Sequence, residues 1–373
     1  MLVLPSDGAG ATTATTGAAA LGRLDMLMLA AGARLDRFVL TRYLHQHVFP
    51  TPADGAALRE RLARARGFYA DPRFLAEPDA FFAPPPALHA TTRQLRRLPR
   101  GELLELTYES GFVPVLPEAR VGWAPGPPGI ARWWRHQEPG HPAMLCVHGY
   151  GGGLLWLERL AFTADRFYRA GLDVVIHVLP GHGRRRPPGV QRSGSTIFDM
   201  DLTRTNETFA QVIHELRALL QLLRAAGTGP VGAFGMSLGG YLTALLASVE
   251  PELAFAVPMI PLASLADMMW AAGDGDPRLA RAVEHGWSQE AVRDFCRVHA
   301  PLARPPLVPN DRRLIIAALG DRICPPEHAE ALWRHWGRPR IHWYPGGHLA
   351  QFRRGAALRS VVTLLRDTGL LPG

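Results

Sequence analysis

The fold of this 373-residue chain is decided by the segment Gly235-Met236-Ser237-Leu238-Gly239-Gly240. The segment follows an apolar run at residues 231–234 and precedes a helical pattern at residues 241–249. This succession predicts a strand, a sharp turn and a helix. The glycines on either side of the serine lack the Cβ atoms that would clash where the strand and the helix pass close together. The segment therefore predicts a serine held at a strained turn.

The rest of the chain alternates between short apolar runs and helical patterns. Apolar runs lie at residues 143–147, 174–179, 231–234, 255–260, 314–319 and 341–344, and helical patterns lie at residues 154–169, 202–226, 238–249, 327–336 and 351–365. Such alternation is typical of parallel strands that are buried on both faces. Segments at residues 103–108, 120–123 and 130–135 are bounded by Gly and Pro and predict leading strands. We expect an α/β fold with a mostly parallel, doubly wound sheet.

The first hundred residues differ in character from the rest of the chain. Residues 1–20 are a low-complexity segment rich in Ala, Thr and Gly, which predicts a disordered tail. Helical patterns at residues 21–47 and 56–69 predict an N-terminal helical extension over residues 21–99. Prolines at residues 84–86 mark a boundary near residue 100. The sheet domain is expected over residues 100–373, with a cap insertion at about residues 264–312.

Three polar residues follow predicted strands and supply the groups needed for nucleophilic catalysis. Ser237 follows the run at residues 231–234, Asp321 follows the run at residues 314–319, and His348 follows the run at residues 341–344. Ligand sites in parallel sheets form beyond the carboxyl ends of the strands, so we expect these side chains to meet there. Where a catalytic serine lies on a strand–turn–helix motif, its acid and then its histidine follow it in the chain. Ser237, Asp321 and His348 have this order. Asp267, after the run at residues 255–260, is the alternative acid.

A glycine-rich turn, His148-Gly149-Tyr150-Gly151-Gly152-Gly153, follows the run at residues 143–147. Such a turn can bring backbone N–H groups toward an oxygen that develops negative charge. We expect the N–H groups of Tyr150 and Leu238 to form this oxyanion hole. The alternative is a flexible turn that only opens the next helix. His148 itself is expected to form structural hydrogen bonds rather than to transfer protons.

These motifs resemble those of the α/β-hydrolase superfamily of serine hydrolases over about residues 100–373. The resemblance rests on four stretches, which are His148-Gly149-Tyr150, the Ser237 segment, Gly320-Asp321 and Gly347-His348. A weaker resemblance links Pro180-Gly181-His182-Gly183 to a turn found in many esterases and lipases. The Ser237 segment and Gly346-Gly347-His348 are also similar to a poorly characterised abhydrolase-domain branch, which implies phospholipid-type acyl esters as a substrate class.

The resemblance implies a role for each candidate residue. Ser237 would be the nucleophile, His348 the general base and Asp321 the acid that orients this base. The N–H groups of Tyr150 and Leu238 would be the oxyanion donors. The reaction expected from this set is hydrolysis of a carboxylic ester with an apolar or lipid-like acyl group. Alternatives with the same fold are a peptidase, an acyltransferase and a non-catalytic binding module.

The composition excludes several other classes of function. All 41 basic residues are Arg and none is Lys, so a Schiff-base lysine, a Ser–Lys dyad and a P-loop lysine are excluded. The net charge is +8, but the arginines are dispersed and we expect no nucleic-acid partner. Three scattered cysteines, and His45 and His47 without a third ligand, predict no metal site. We expect no cofactor and a cytoplasmic location, since no targeting segment or membrane span is evident.

Three segments leave alternatives open about the substrate and the partners. Within the cap, the apolar residues Met268, Met269, Trp270, Trp287 and Phe295 either line an acyl pocket or pack on the core. Residues 184–186, all Arg, either face the rim of the site, where they would favour an anionic ester, or lie in a solvated loop. The helix at residues 21–47 either packs on the sheet domain, which we favour, or makes a peripheral contact with a membrane.

Overall fold

The computed structural model describes residues 22–40, 55–124, 126–198, 202–273, 275–284 and 287–372. The predicted tail at residues 1–20 and the pair His45 and His47 lie outside the described residues. The same holds for the last part of the helix predicted over residues 21–47.

The strands of the described residues form one nine-stranded sheet. The strands are β1 (Ala90–Leu98), β2 (Gly101–Tyr108), β3 (Gly129–His136), β4 (Ala143–Val147), β5 (Asp173–Val178), β6 (Val231–Met236), β7 (Ala256–Met259), β8 (Leu314–Ala318) and β9 (Arg340–Tyr344). Their order across the sheet is β1-β2-β3-β5-β4-β6-β7-β8-β9. Strand β1 pairs antiparallel with β2, β2 with β3 and β3 with β5, and all later pairs are parallel. The predicted mostly parallel α/β fold is confirmed.

Helices cover both faces of the sheet. They are α1 (Arg23–Val39), α2 (Gly55–Tyr69), α3 (Arg73–Ala76), α4 (Leu155–Ala161), α5 (Ala164–Arg169), α6 (Leu202–Ala225), α7 (Leu238–Leu246), α8 (Leu265–Gly273), α9 (Pro277–Glu284), α10 (Gln289–Phe295), α11 (Pro326–His335) and α12 (Arg354–Asp367). Buried side chains of α6, α7 and α11 form the core on one face, and those of α5 and α12 form the core on the other. Helices α8, α9 and α10 lie within the predicted cap insertion. No helix in the described ranges has the length and apolar character needed to cross a bilayer.

The first part of the sheet differs from the prediction. The boundary placed at residue 100 falls inside a hairpin, because β1 at Ala90–Leu98 pairs with β2. Most of the side chains of β1 are exposed, so this edge strand lacks the apolar alternation that would reveal it. The prediction of a strand at residues 120–123 is wrong. A 3₁₀ turn at Pro117–Arg120 precedes a bend at Gly122, whose φ is 76°.

The buried strands occur where the apolar runs predict them. All six predicted parallel strands are present, with ends that differ from the prediction by at most two residues. The single helix predicted over residues 154–169 is divided in two at Thr163, whose φ of 49° cannot continue a right-handed helix. Since β4, β6, β7, β8 and β9 run parallel, the turns after them lie at the same edge of the sheet.

Candidate active site

Ser237 lies between the end of β6 and the first residue of α7. Its φ is 59° and its ψ is −118°, a conformation that non-glycine residues rarely adopt. Its backbone N–H donates to the carbonyl oxygen of Met259 on the neighbouring strand β7, at 2.9 Å. Because both flanking elements and the adjacent strand hold this residue, the strained conformation is imposed by the fold.

The two glycines that flank Ser237 are required by close backbone approach. A Cβ on Gly235 would lie 1.9 Å from the carbonyl oxygen of Gly239. A Cβ on Gly239 would lie 1.8 Å from the carbonyl oxygen of Val147 at the end of β4. Real Cβ atoms do not approach backbone oxygens so closely. The strand–turn–helix geometry predicted from this segment is therefore present.

The structure brings Asp321 and His348 into direct contact. Nδ1 of His348 lies 2.7 Å from Oδ2 of Asp321, and both side chains are buried. The other carboxylate oxygen of Asp321 accepts from the backbone N–H groups of Ile323, at 2.9 Å, and Cys324, at 2.7 Å. Because Asp321 accepts from Nδ1, the hydrogen bond leaves Nε2 of His348 to interact with other groups.

The carboxylate of Asp321 changes the protonation of His348. Burial alone would lower the pKa of His348, because it penalises the charged imidazolium. The negative charge of Asp321, the neighbouring Cys324 and the hydrogen bond to Asp321 together outweigh burial and raise the pKa of His348 above its ordinary value. The neutral imidazole is therefore a stronger base than a free histidine, and it becomes available as pH rises through its pKa.

The thiol of Cys324 completes this cluster and was not anticipated from the sequence. Its buried sulfur lies near His348 and Ser237, both of which influence the pKa of the thiol. Burial raises the pKa of the Cys324 thiol, which keeps it protonated near neutral pH. The turn Gly320-Asp321-Arg322-Ile323-Cys324 after β8 is the signal that could have placed this cysteine at the site.

The glycine-rich turn after β4 lies against the serine. A Cβ on Gly149 would lie 3.2 Å from the Cβ of Ser237, so Tyr150 follows directly at the site. The carboxylate of Glu158 accepts from the N–H of Gly153 at 2.8 Å and fixes the far end of the turn. Leu238 is the first residue of α7, where backbone N–H groups have no acceptor within the helix.

His148 forms structural hydrogen bonds, as expected. Its Nδ1 lies 2.8 Å from the carbonyl oxygen of Gly149, and its Nε2 accepts from the N–H of Leu179 at 3.1 Å. Burial, together with the neighbouring His182, holds the pKa of His148 well below its usual value. The neutral ring therefore links the turn after β4 to the end of β5.

A small pocket opens at Ser237. Its volume is about 80 Å³, and most of its lining is apolar. The lining residues come from the loops after the strands, from the residue after α1, from α7, from α11 and from the cap. They are Leu40, Tyr150, Phe198, Ser237, Leu238, Leu262, Met268, Ala271, Arg322, Ile323, Cys324, Pro325 and His328. An apolar recess beside a reactive hydroxyl suits an uncharged group of a small substrate.

Comparisons with known proteins identify the family of this chain. Residues 130–283 match the family described as alpha/beta hydrolase domain containing 18. An uncharacterised protein of Mycobacterium tuberculosis is 32% identical over 367 residues, a match that covers 92% of this chain and 84% of that protein. This chain belongs to the α/β-hydrolase superfamily.

Two solved structures share the fold of this α/β hydrolase. Acetyl xylan esterase 1 of a Thermoanaerobacterium species is 19% identical, with a TM-score of 0.55, and the match covers 86% of this chain and 97% of that one. An acetyl xylan esterase of a Paenibacillus species is 16% identical, with a TM-score of 0.56, and the match covers 86% of this chain and 98% of that one. At these identities the similarity shows the fold alone.

The cap of the hydrolase is divided between the two expected roles. Of its five apolar candidates, Met268 lines the pocket, whereas Met269 and Phe295 are buried in the core. Trp270 and Trp287 are partly buried against the same core. The cap therefore supplies one pocket wall and otherwise packs on the sheet domain.

The alternative acid, Asp267, has other partners. Its Oδ1 accepts from Arg293 at 2.6 Å and from Gln289 at 2.8 Å, both on α10. His348 instead bonds to Asp321. The geometry thus favours Asp321 as the acid and gives Asp267 a role in joining α8 to α10.

The arginine cluster at residues 184–186 does not act as a unit. Arg185 is buried and forms a bidentate ion pair with Glu215 of α6, at 2.6 and 2.8 Å. Arg184 pairs with Glu105 of β2 at 2.5 Å. Both sequence interpretations of the cluster, a charged rim and a solvated loop, are therefore wrong for Arg185. The central arginine instead anchors the turn after β5 to the core.

Proposed function

We propose that this α/β hydrolase cleaves carboxylic esters by acyl transfer through Ser237. Two observations support the proposal: the 2.7 Å hydrogen bond between His348 and Asp321, and a serine at φ 59° on a turn at the same edge of the sheet. A serine hydroxyl is a weak nucleophile until a neighbouring base removes its proton. The buried pair supplies such a base, and the strained turn presents the hydroxyl to the pocket.

In the first step, Oγ of Ser237 attacks the ester carbonyl while Nε2 of His348 accepts the serine proton. The imidazolium that forms is stabilised by the Asp321 carboxylate on its other nitrogen. His348 then gives the proton to the departing alkoxide, and an acyl-enzyme remains on Ser237. The alcohol half of the ester leaves at this stage.

In the second step, His348 removes a proton from water, and the hydroxide attacks the acyl-enzyme. The carboxylic acid departs and Ser237 regains its proton. In both steps the carbonyl oxygen becomes negatively charged. The N–H groups of Tyr150 and Leu238 are the proposed donors to this oxygen, and the N-terminus of α7 adds the favourable end of the helix dipole.

The pocket indicates the kind of acyl group. Most of its lining is apolar, from side chains such as Leu40, Phe198 and Met268, and Arg322 supplies a charged group. A volume of about 80 Å³ suits a short acyl chain better than a long one. We therefore propose short, apolar acyl esters as the substrate class.

The test uses p-nitrophenyl butyrate and a fluorophosphonate probe on the full chain. We expect Ser237→Ala to lower kcat by about 10⁴-fold or more and to abolish labelling, because the members of a triad act as a unit. Ser360→Ala is the matched control, since that hydroxyl bonds to the carbonyl of Ala357 within α12. Turnover of amide substrates at a comparable rate would favour a peptidase. Labelling that persists in Ser237→Ala would place the nucleophile elsewhere.

A further inference from the structure

Helix α1 packs on the sheet domain through an unusual face. Its buried residues are Gly32, Ala33 and Asp36, whereas Leu27 is 67% exposed and Phe38 is 60% exposed. An amphipathic helix normally buries its apolar side chains. The expectation that α1 packs on the sheet domain is therefore met, but the face that carries Leu35 and Phe38 points outward. Apolar burial alone does not explain why this helix docks where it does.

The carboxylate of Asp36 binds the two loops that carry the proposed acid and base. Its Oδ2 accepts from the backbone N–H of His348 at 2.6 Å and from that of Arg322 at 3.1 Å. Its Oδ1 accepts from the N–H of Leu349 at 3.1 Å. Arg322 directly follows Asp321, so one buried side chain joins the acid loop to the base loop.

The backbone of α1 lies directly against the base loop. A Cβ on Gly32 would lie 2.2 Å from the backbone nitrogen of Gly347. A Cβ on Gly347 would lie 2.5 Å from Oδ2 of Asp36. Only a pair of glycines allows the carboxylate to reach these N–H groups. This contact gives a physical reason for the glycine that precedes His348.

The covalent chain does not fix the position of the loop that carries Asp321 relative to the loop that carries His348. They follow different strands, and the hydrogen bond of the proposed catalytic pair spans them. Displacement of a catalytic group by about 1 Å can cost roughly 10²-fold in rate. A carboxylate that accepts three charge-assisted hydrogen bonds from both loops would restrict such displacement.

We propose that Asp36 is a positioning residue that holds Asp321 and His348 in register, which makes α1 an integral part of the active site. This inference rests on the proposed function. Asp36 acts through the backbone of the two loops and touches neither the substrate nor the reacting atoms. The helix that precedes the sheet in the chain thereby completes the site from outside the α/β core.

The test compares Asp36→Asn with the full-length wild type. Asparagine keeps one oxygen acceptor and adds an N–H₂ donor, so at least one of the three N–H groups must lose its acceptor. We expect kcat for p-nitrophenyl butyrate to fall by about 10²-fold, with KM little changed, because positioning is lost while the pocket remains. Asp25→Asn on the same helix is the matched control, since Asp25 pairs with Arg353 and should leave kcat unchanged.

A second readout does not depend on activity. The Nδ1 proton of His348, shared with Asp321, should give a far-downfield proton resonance in the wild type and in Ser237→Ala. We expect this resonance to be lost or shifted in Asp36→Asn. If the wild type hydrolyses no ester, the proposed function fails, whereas the resonance still decides the role of Asp36.

Two results would overturn the inference. One is an Asp36→Asn protein that keeps both its kcat and the resonance, or that loses activity only in proportion to its unfolded fraction in a thermal melt. The other requires no variant. Hydrogen–deuterium exchange of the wild type should show protected amides at residues 348 and 349, and rapid exchange there would contradict bonding to Asp36.

Discussion

Leu40 and Ser237 line the same pocket, although Leu40 precedes every strand of the sheet in the chain and Ser237 follows the sixth strand. Leu40 follows directly after α1, and Ser237 lies in the centre of the sheet. If the acyl group of the proposed substrate binds in this pocket, a side chain from outside the core would limit its length. Substitution of Leu40 therefore tests the pocket without a change to any proposed catalytic residue.

Leu40→Trp should narrow the pocket and select against longer acyl chains. We expect the ratio of kcat/KM for p-nitrophenyl hexanoate to that for the acetate to fall by about tenfold or more, as is usual for apolar pockets. The measurement is a chain-length series of p-nitrophenyl esters. Leu27→Trp is the control, because Leu27 lies on the same helix and is exposed. An unchanged ratio in Leu40→Trp would show that the acyl group binds elsewhere.

The rate of hydrolysis should rise with pH as His348 loses its proton. The Asp321 carboxylate raises the pKa of His348, so the inflection in kcat/KM should lie above the ordinary value of about 6.5. In Asp321→Asn the charge is removed, the pKa of His348 falls, and the inflection moves to lower pH. We also expect kcat to fall by about 10⁴-fold. The pH profile of kcat/KM for Asp267→Asn should match that of the wild type. A shifted inflection in Asp267→Asn would show that Asp267, not Asp321, is the acid that pairs with His348.

The thiol of Cys324 lies close to Ser237 and is therefore an alternative nucleophile. Because burial raises the pKa of its thiol, little thiolate exists at neutral pH, and we expect Cys324 not to attack the ester. Cys324→Ala should keep its activity within about tenfold, because the thiol takes no part in the proposed acyl transfer and the loss of one weak polar group costs little. Mass spectrometry of the fluorophosphonate adduct should find the label on Ser237 in both proteins. A label on Cys324 in the wild type would reverse the assignment.

Glu215→Gln should destabilise the protein strongly. The change leaves the buried guanidinium of Arg185 without its counter-ion, which typically costs about 3–5 kcal/mol in the free energy of unfolding. Chemical denaturation at pH 7 measures this loss. Glu252→Gln is the control, because Glu252 is exposed and its pair with Arg224 should contribute less than about 1 kcal/mol. Equal stability of Glu215→Gln and the wild type would contradict the prediction.

The same ion pair predicts how stability changes in acid. Burial alone would raise the pKa of Glu215, but Arg185 and His177 outweigh burial and lower it. A carboxyl group with a lowered native pKa contributes its full stabilisation above its unfolded-state pKa and loses it as pH falls through the native value. The wild type should therefore lose stability below about pH 4.5, and Glu215→Gln should lose less over the same range.

The sequence predicts the parts of the molecule that backbone geometry controls. The segment around Ser237 allows one local arrangement because its glycines face backbone atoms of β4 and α7. The apolar runs predict the parallel strands because those strands are buried on both faces. The order of Ser237, Asp321 and His348 follows from the positions of their strands. Their close approach could be expected for this reason before any coordinates.

Other features depend on tertiary contacts that leave no periodic signal. The face of α1 is determined by Asp36, whose carboxylate binds distant backbone N–H groups rather than apolar side chains. Arg185 is paired with a glutamate on α6, and a run of three arginines gives no hint of that partner. The sequence pattern does not predict strand β1, because an exposed edge strand has no buried face that would require apolar and polar residues to alternate.

The polar character of β1 has a consequence for the molecule in concentrated solution. An outermost strand offers unpaired backbone groups that can template the addition of a foreign strand. Here that strand carries Arg93, Arg96 and Arg97, and its register shifts between Gln94 and Arg96. The positive charge of β1 repels a second copy of the same strand. The register shift interrupts the regular row of backbone groups that a second strand would need for hydrogen bonding. This rim of the sheet is thus protected against self-association into larger β-aggregates.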